Sequence, residues 1–323
     1  MLKRIAIMTS GGDSPGMNAC IRAVVRTGME YGFEVYGIRQ AYTGLLNGDF
    51  ELLTSVEVSG ILQRGGTILQ TARNEEFRTP AGQKKGLRRL NEHNIDALIV
   101  VGGNGSLTGA QKLHEAGFQV IGVPGSIDND IFGTDMAIGV DTALNTILDA
   151  LDRLRDTASS HQRAFIIETM GRGSGYLALM GSILGGAEIV ITPEHEPTMA
   201  EVAKSLGDAY VRGKSHAIAV IAEGASYTAT ALTDYLSKDP DVGFEVRLTI
   251  LGHIQRGGKP SAFDRLLATR MGVKAVNSLR EGVSGMMVAL AGRKMELIPL
   301  EEAISKLRPI NEDYFHMARF LAR

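Results

Sequence analysis

Short, continuously apolar runs rich in Ile and Val recur along this chain, and each ends in glycine or small polar residues. They lie at residues 5–8, 97–101, 120–123, 165–168, 189–192 and 218–222. Stretches with helical periodicity lie between or after them, at residues 17–31, 141–157, 199–211 and 262–279. A strand that is apolar at every position is buried on both faces. The alternation therefore predicts an α/β fold with a mainly parallel sheet covered by helices.

Length and composition limit the class of protein. The 323 residues are about enough for two ordinary domains, and 44% are hydrophobic. The single cysteine, Cys20, excludes an intrachain disulfide and suits a reducing compartment. A net charge of -2 gives no general attraction to nucleic acid or to anionic membranes. No apolar run reaches the roughly 20 residues of a membrane span, so we expect a cytoplasmic protein.

Nearly all the unusual sequence follows directly after the apolar runs. In parallel sheets, ligands bind at the carboxyl ends of strands, near helix N-termini, so this placement favours an enzyme over a scaffold. Residues 228–241, in contrast, are largely polar and are expected to be a surface excursion.

Two glycine-rich loops follow such runs. Residues 9–18 read T-S-G-G-D-S-P-G-M-N, which matches neither G-x-x-x-x-G-K-[ST] nor G-x-G-x-x-G. Residues 102–106 read G-G-N-G-S, a loop with almost no side chains. The first loop alone could be a tight packed turn, and Ser106 could simply cap the next helix. Two such loops on neighbouring strands favour a phosphate-binding floor.

The segment P-G-S-I-D-N-D, residues 124–130, carries two carboxylates. In an extended segment Asp128 and Asp130 project the same way, because side chains alternate. Facing phosphates, the pair suggests one general base and one metal or positioning group. An Asx-rich turn is the alternative.

Four arginines form the basic group: Arg163, Arg172 in M-G-R, Arg247, and Arg256 in G-H-I-Q-R-G-G at residues 252–258. The guanidinium fork suits a phosphate because it donates two hydrogen bonds in fixed geometry. Singly, each could be a solvated surface charge. The tract around Arg256 stands apart because it repeats the strand-then-glycine pattern.

Five motifs together resemble the signature of bacterial ATP-dependent 6-phosphofructokinases, in family order and spacing as far as Gly258. They are the two glycine-rich loops, the P-G-S-I-D-N-D segment, the M-G-R turn and the G-H-I-Q-R-G-G tract. The resemblance implies transfer of the γ-phosphate of MgATP to the 1-hydroxyl of fructose 6-phosphate. It also implies two Rossmann-like, three-layer α/β/α domains with mainly parallel sheets and the active site in the cleft between them. The larger, ATP-binding domain would comprise residues 1–138 plus 256–305. The smaller, fructose 6-phosphate-binding domain would comprise residues 139–255 plus 306–323.

The resemblance further implies a role for each matching residue. Asp128 would be the general base, Ser126 would contact the transferring phosphoryl group, and Arg172 would stabilise charge in the transition state. Residues implied for the ATP site are Gly12, Tyr42, Arg73, Asn74, Gly103, Asn104, Gly105 and Ser106. Residues implied for the sugar phosphate are Ser126, Ile127, Asp128, Arg163, Met170, Gly171, Arg172, Glu223, Arg247, His253, Ile254, Gln255 and Arg256.

Within that second set, His253 and Arg256 would bind the 6-phosphate. Arg163 and Arg247 would reach it from a neighbouring subunit, which implies a homotetramer with shared substrate sites. Pyrophosphate-using relatives carry Asp and Lys where this chain has Gly105 and Gly125, so ATP is the expected donor.

One departure concerns the metal. The family has aspartate, tied to Mg²⁺, where this chain has Asn104. A neutral amide should hold Mg²⁺ more weakly than a carboxylate, so Asp130 and the ATP phosphates would carry more of the metal. The alternative is a catalytically impaired paralogue or a regulatory subunit of the same fold.

A second departure concerns regulation. Family members bind ADP or phosphoenolpyruvate as effectors at a basic site between subunits. The matching residues are Arg22, Arg26, Arg155, Gly186, Glu188, Arg212 and Lys214. Ser55 stands where some relatives have arginine, which removes one charge and leaves the effector response open.

Two other enzyme classes fit less well. A dinucleotide-dependent dehydrogenase needs G-x-G-x-x-G and an acidic residue about 20 positions on, which this chain lacks. A diacylglycerol- or NAD-kinase-like enzyme shares a G-G-D-G loop but does not need the G-H-I-Q-R-G-G tract.

Overall fold

The computed structural model describes residues 2–322. Its strands are β1 (Arg4–Ser10), β2 (Glu34–Ile38), β3 (Phe50–Leu53), β4 (Ala97–Gly102), β5 (Gln119–Pro124), β6 (Arg163–Thr169), β7 (Ile189–Ile191), β8 (Ala217–Ala222), β9 (Glu245–Ile250), β10 (Met286–Ala291) and β11 (Lys294–Pro299). Its α-helices are α1 (Met17–Glu30), α2 (Ala41–Asn47), α3 (Pro80–Glu92), α4 (Asn104–Glu115), α5 (Val140–His161), α6 (Tyr176–Gly185), α7 (Met199–Val211), α8 (Ala229–Leu236), α9 (Ala262–Arg280), α10 (Leu300–Ser305) and α11 (Glu312–Leu321).

The strands form two sheets. The larger has the order β11-β10-β5-β4-β1-β2-β3, with antiparallel pairs at its two edges and parallel pairs between them. The smaller has the order β7-β8-β6-β9 and is parallel throughout. Strands β4 and β8 are buried at every position, as their uninterrupted apolar sequences require. The predicted α/β fold with mainly parallel sheets is confirmed.

The strand-then-glycine pattern around Arg256 predicted a strand before this tract, and β9 ends there at Ile250. All six strands predicted from continuous apolar runs are present, whereas those runs did not predict β2, β3, β9, β10 and β11. Three of these five, β3, β9 and β11, lie at the edges of their sheets. They are partly exposed and so lack the continuous apolar pattern of a central strand.

The expectation for residues 228–241 is wrong. This segment contains helix α8, whose Ala229, Leu232 and Leu236 are buried on one face. Thr228 caps the helix by accepting a hydrogen bond from the N–H of Ala231 at 3.1 Å. Three apolar residues at spacings of three and four are enough to bury one side of a short helix whose other side is polar.

Helices α1 and α9 cross closely over the larger sheet. Gly272 permits the approach, because a Cβ there would lie 2.9 Å from both the Cβ of Ala23 and the carbonyl oxygen of Cys20. Cys20 is fully buried, and that burial raises the pKa of its thiol to about 12. The cysteine is therefore a small core residue and not a reactive thiol.

The chain divides into two compact units, each assembled from three segments. Unit 1 comprises residues 2–127, 131–142 and 256–308 and contains the larger sheet. Unit 2 comprises residues 128–130, 143–255 and 309–322 and contains the smaller sheet. Within residues 2–322, no helix has the length and apolar character needed to cross a membrane.

Candidate active site

The two predicted glycine-rich loops lie side by side in unit 1. They follow β1 and β4, which pair in parallel so that Ser10 stands opposite Gly102. The Ser106 hydroxyl lies 2.9 Å from that of Ser10 and joins the loops. A Cβ at Gly102 would overlap the Ser10 carbonyl oxygen, so only glycine permits this approach.

The first turn of α4 forms part of this floor. Gly103 is the residue before the helix, and no side chain caps it, so Ser106 is not a cap but a residue inside the first turn. A Cβ at Gly105 would meet nothing within 4 Å. Uncapped N–H groups beside open space suit an anion such as a phosphate.

Tyr42 supports this turn from within the protein. It is 7% exposed, its hydroxyl donates to the Ser106 carbonyl at 2.7 Å, and its ring stacks on Phe77 at 4.1 Å. Burial raises the pKa of the hydroxyl well above its ordinary value. A Cβ at Gly109 would overlap the tyrosine, so Gly109 makes room for it. Tyr42 thus holds α4 in place, a role that sequence patterning did not reveal.

Arg73 and Asn74, the next residues predicted for the ATP site, also lie in unit 1. Arg73 is exposed. Asn74 donates to the Thr43 hydroxyl at 3.2 Å and accepts from the N–H of Phe77 at 2.8 Å. Asn74 therefore fixes the segment beside Arg73.

Asn18, the last residue of the first motif, is a further residue that sequence reasoning missed. It is 1% exposed, donates to the carbonyls of Arg64 and Gly65 at 3.1 and 3.2 Å, and accepts from the N–H of Ile68 at 2.8 Å. The Thr71 hydroxyl donates to the Gly11 carbonyl at 2.8 Å. Residues 64–71 are thereby held against the first loop and lead into Arg73.

The start of the segment that follows β5 is held by a slightly later stretch of unit 1. Gly125 pairs with Ile138, and the N–H of Ser126 donates to the Ile138 carbonyl at 3.2 Å. Ser126 is 8% exposed and Asp128 3%. Asn129 has φ +51°, so the segment is not extended there. The condition under which Asp128 and Asp130 would project the same way is therefore not met, because a left-handed residue separates them.

The M-G-R turn of unit 2 is built on Glu223. This carboxylate accepts from the N–H groups of Gly171 and Arg172 at 3.2 and 2.9 Å. Arg172 has φ +51°, which is uncommon for a residue with a side chain. A Cβ at Gly224 would overlap the Arg172 carbonyl oxygen, so Glu223 and Gly224 shape the turn together.

The turn brings two of the predicted catalytic residues together. The Nε of Arg172 lies 3.4 Å from Oδ2 of Asp128. The arginine side chain is 62% exposed and the aspartate side chain 4%. The result is a buried carboxylate beside a guanidinium that is open to an incoming anion.

Arg163 and Arg247 lie on paired strands, β6 and the edge strand β9. The Nε of Arg163 lies 2.6 Å from Oε2 of Glu245, and Arg247 forms an ion pair with the other oxygen of the same carboxylate. Hydrogen bonding and charge from Arg163, followed by charge from Arg247, lower the pKa of Glu245. Glu245 thus forms ion pairs with both arginines at the edge of the smaller sheet.

The G-H-I-Q-R-G-G tract combines exposed residues with one fully buried side chain. His253 and Ile254 are exposed. Gln255 is fully buried, accepts from the N–H of Met170 at 3.3 Å and donates to the Gly252 carbonyl at 3.0 Å. Gln255 therefore ties the tract to the M-G-R turn through backbone groups.

Arg256 lies against the first loop within unit 1. Its guanidinium donates to the Asp13 carbonyl at 3.2 Å. A Cβ at Gly12 would overlap this guanidinium, so Gly12 makes room for Arg256.

The residues predicted for effector binding fall in both units. In unit 2, Arg155 donates to the Gly186 carbonyl at 3.0 Å, and the Nζ of Lys214 lies 3.2 Å from Oε1 of Glu188. The exposed Arg212 follows α7. Arg22 and Arg26 lie on α1 in unit 1.

The residues predicted to bind Mg²⁺ are half-buried. Asn104 is the first residue of α4, and Asp130 ends the segment after β5. Within residues 2–322, no three His, Cys, Asp or Glu side chains form a metal-binding group. One carboxylate and one amide fit Mg²⁺ if phosphates and water complete its octahedral shell.

Comparison with known proteins gives one consistent answer. A family model described as phosphofructokinase matches residues 4–279. An ATP-dependent 6-phosphofructokinase of Thermotoga neapolitana is 50% identical over 99% of this chain and 100% of its own length. One from Clostridium novyi is 50% identical with the same coverage. The solved T-state phosphofructokinase of Pichia pastoris has a TM-score of 0.90 and 38% identity, over 94% of this chain and 36% of that one.

Proposed function

Because this chain belongs to the phosphofructokinase family, we propose that it is an ATP-dependent 6-phosphofructokinase, a glycolytic kinase that converts fructose 6-phosphate into fructose 1,6-bisphosphate. The observation that carries this proposal is the 50% identity, over nearly the whole chain, to relatives of that name. No observation favours the alternative of a catalytically impaired relative.

ATP is the donor that the floor supports. Nothing lies within 4 Å of a Cβ position on Gly105, so the first turn of α4 leaves room for a nucleotide phosphate. Gly125 is tightly surrounded, since a Cβ there would lie 3.1 Å from Cε of Met17 and 3.2 Å from Cγ1 of Val101. A lysine, as in pyrophosphate-using relatives, would have to displace these core side chains.

Phosphoryl transfer then proceeds in one displacement. Asp128 takes the proton of the sugar 1-hydroxyl while that oxygen bonds to the γ-phosphorus, and the bond from the γ-phosphorus to the β–γ bridging oxygen breaks. The electron pair of the broken bond leaves with ADP. Arg172 stabilises the charge that spreads over the transferring group, and the Ser126 hydroxyl donates to one of its oxygens. The proximity of Arg172 and Asp128 supports these roles.

Mg²⁺ neutralises charge on the β- and γ-phosphates when it is bound. Asn104 and Asp130 would be its protein ligands, and Asn104 would contribute a neutral oxygen only.

The two compact units would be the two domains. Unit 1 would bind ATP, and unit 2 would supply most of the residues that hold the sugar phosphate. Met170, Gly171 and Glu223 would hold the sugar, and His253 and Arg256 would bind its 6-phosphate. Glu245 pairs with both Arg163 and Arg247. This shared partner supports a joint role of the two arginines in binding one 6-phosphate at the site of a neighbouring subunit, in a homotetramer.

The basic residues on α1 and around Gly186 and Lys214 would form the effector site, for ADP or phosphoenolpyruvate. The enzyme would work in the cytoplasm, as glycolytic enzymes do.

The test is an assay of the purified protein with fructose 6-phosphate and MgATP, coupled through aldolase to NADH oxidation. We expect turnover with ATP and little with pyrophosphate. Asp128→Asn should bind both substrates but lose at least about 10²-fold in kcat, the typical size of general-base catalysis. An inactive parent protein, or an Asp128→Asn variant with parental kcat, would contradict the proposal.

A further inference from the structure

Asp264 is a fully buried carboxylate that has no role in the reaction as described above. It is the third residue of α9, in unit 1. Its Oδ1 accepts from the N–H of Gly139 at 2.9 Å, and its Oδ2 accepts from the N–H and the hydroxyl of Thr142 at 2.8 and 2.6 Å. The donors belong to Gly139, which directly precedes α5, and to Thr142 in its first turn, more than 120 residues away in the chain.

This carboxylate is not needed to cap its own helix. Ser261 does that, since its hydroxyl accepts from the N–H of Asp264 at 3.1 Å. The Asp264 side chain instead caps α5, where a negative charge is favoured by the helix dipole. Burial raises the pKa of Asp264 to about 6, while the hydrogen bonds from Thr142 and Gly139 act to lower it. A buried carboxylate is kept only where such donors compensate its lost hydration.

Ser261 strengthens the same junction. Its N–H donates to the Thr142 hydroxyl at 3.0 Å, and its hydroxyl donates to Oδ2 of Asp141 at 2.5 Å. At least five hydrogen bonds therefore join the starts of α5 and α9, and Asp264 accepts three of them.

The anchored stretch is the one that holds the segment after β5. Ile138, next to Gly139, donates its N–H to the Pro124 carbonyl at 3.0 Å. Its carbonyl accepts from the N–H of Ser126 at 3.2 Å. Two backbone bonds thus connect Ile138, which directly precedes the anchored residues, to Pro124 and to Ser126. Asp128 follows two residues after Ser126.

We propose that Asp264 is a positioning residue for phosphoryl transfer: it fixes residues 139–142, and through Ile138 it sets the backbone position of Ser126. The inference rests on the proposed function. It adds a residue outside the glycine loops and the arginine group to those on which the rate depends.

Asp264→Asn tests the proposal with an almost isosteric change. The new NH₂ group must face one of the present donors, so at least one hydrogen bond to Gly139 or Thr142 is lost. The backbone oxygen and the Cβ of Asp264 lie 3.4 and 3.5 Å from the position that a Cβ on Gly16 would take. Asparagine keeps both of these atoms. We therefore expect kcat to fall about 10- to 100-fold, as for a displacement near 1 Å, and the KM for ATP to stay within about two-fold.

Thr142→Val is the second variant, because it removes only the hydroxyl and should lower kcat less. The matched control is Asp96→Asn. Asp96 also joins distant segments, accepting from the N–H groups of Lys3 and Arg4 at 2.7 and 2.9 Å, but it precedes β4 at the opposite end of the strand from the glycine floor. The kcat of the Asp96→Asn variant should equal that of the parent protein.

Hydrogen exchange provides a measurement that does not depend on turnover. In Asp264→Asn, the amides of Ser126 and Ile138 should exchange at least about tenfold faster, while those in Asp96→Asn should not change. An inactive parent would refute the proposed function yet leave this measurement decisive. Unchanged exchange, unchanged kcat, or a fall in kcat matched by an equal loss of folded protein would overturn the positioning role.

Discussion

Arg172 illustrates how acidic partners fix a single residue in this protein. Its left-handed backbone is held by two hydrogen bonds to one oxygen of Glu223, and its side chain reaches toward the buried Asp128. A non-glycine residue in this conformation costs of order 1 kcal/mol, which the hydrogen bonds to the carboxylate offset. Glu223, expected only to hold the sugar, therefore also has a structural role within unit 2.

At the same scale, Asn104→Asp should improve use of the metal. A carboxylate adds a charge that the amide lacks, so Mg²⁺ should bind more tightly at nearly constant shape. We expect a higher kcat, a lower Mg²⁺ concentration at half-maximal rate, or both, measured by titrating Mg²⁺ at fixed ATP.

The control for this change is Asn94→Asp, an exposed position in a turn before β4, at the end of the strand remote from the floor. It adds the same charge and should alter neither quantity. If Asn104→Asp behaves like the control, the metal does not depend on position 104, and Asp130 becomes the better candidate.

At the scale of elements, helix α4 is fixed to the protein interior by Tyr42, while the space next to Gly105 in its first turn is open. Its first turn has no side-chain cap, and Tyr42 fixes it through the Ser106 carbonyl. The first turn of such a helix suits an anion because the partial charges of the helix add there. The fixed turn also needs no rearrangement when a phosphate arrives, which favours binding.

Gly105→Ala tests whether phosphate occupies the space before that turn. Alanine favours a helix over glycine by roughly 0.5–1 kcal/mol, and its Cβ would meet no protein atom within 4 Å. The melting temperature should therefore rise slightly, whereas the KM for ATP should increase several-fold because the methyl group takes ligand space.

Ser205→Ala on α7 is the companion variant, since it raises helix propensity at an exposed position in unit 2. Its KM for ATP should match that of the parent. An unchanged KM for ATP in Gly105→Ala would remove the first turn of α4 from the phosphate site.

At the scale of the whole molecule, the edge strand β9 carries one of the two arginines proposed to reach a neighbouring subunit. Arg247 lies on this strand, half-exposed, and shares Glu245 with Arg163. If a neighbouring subunit's substrate takes these arginines, Arg247→Ala should raise the KM for fructose 6-phosphate at least about tenfold and leave the KM for ATP nearly unchanged. Arg88→Ala, which breaks an exposed pair with Glu92 on α3, should change neither.

Mixing gives a sharper result than either variant alone. Hybrids of Arg247→Ala and Asp128→Asn subunits should regain some activity at low fructose 6-phosphate, because some sites then combine an intact base with an intact arginine. If hybrids form, as native mass spectrometry can establish, and no activity returns, each subunit completes its own site.

The sequence by itself determined those parts of the structure that depend on residues adjacent to one another in the chain. Continuous apolar runs predicted the buried parallel strands, and glycines directly after them predicted loops that approach one another closely. The motifs also pointed to Asp128 and Arg172, which lie within an ion-pair distance of each other.

The tertiary structure alone decided the roles of polar residues whose partners are far away in the chain. Asn18 and Asp264 are hydrophilic residues in helices by sequence, and only the segments packed against them make them anchors. The left-handed turn at Asn129 and the buried side chain of Gln255 were equally unpredictable from spacing. The physical reason is that a buried polar group must satisfy its hydrogen bonds with whatever backbone lies opposite, and the sequence around it does not say which segment that is.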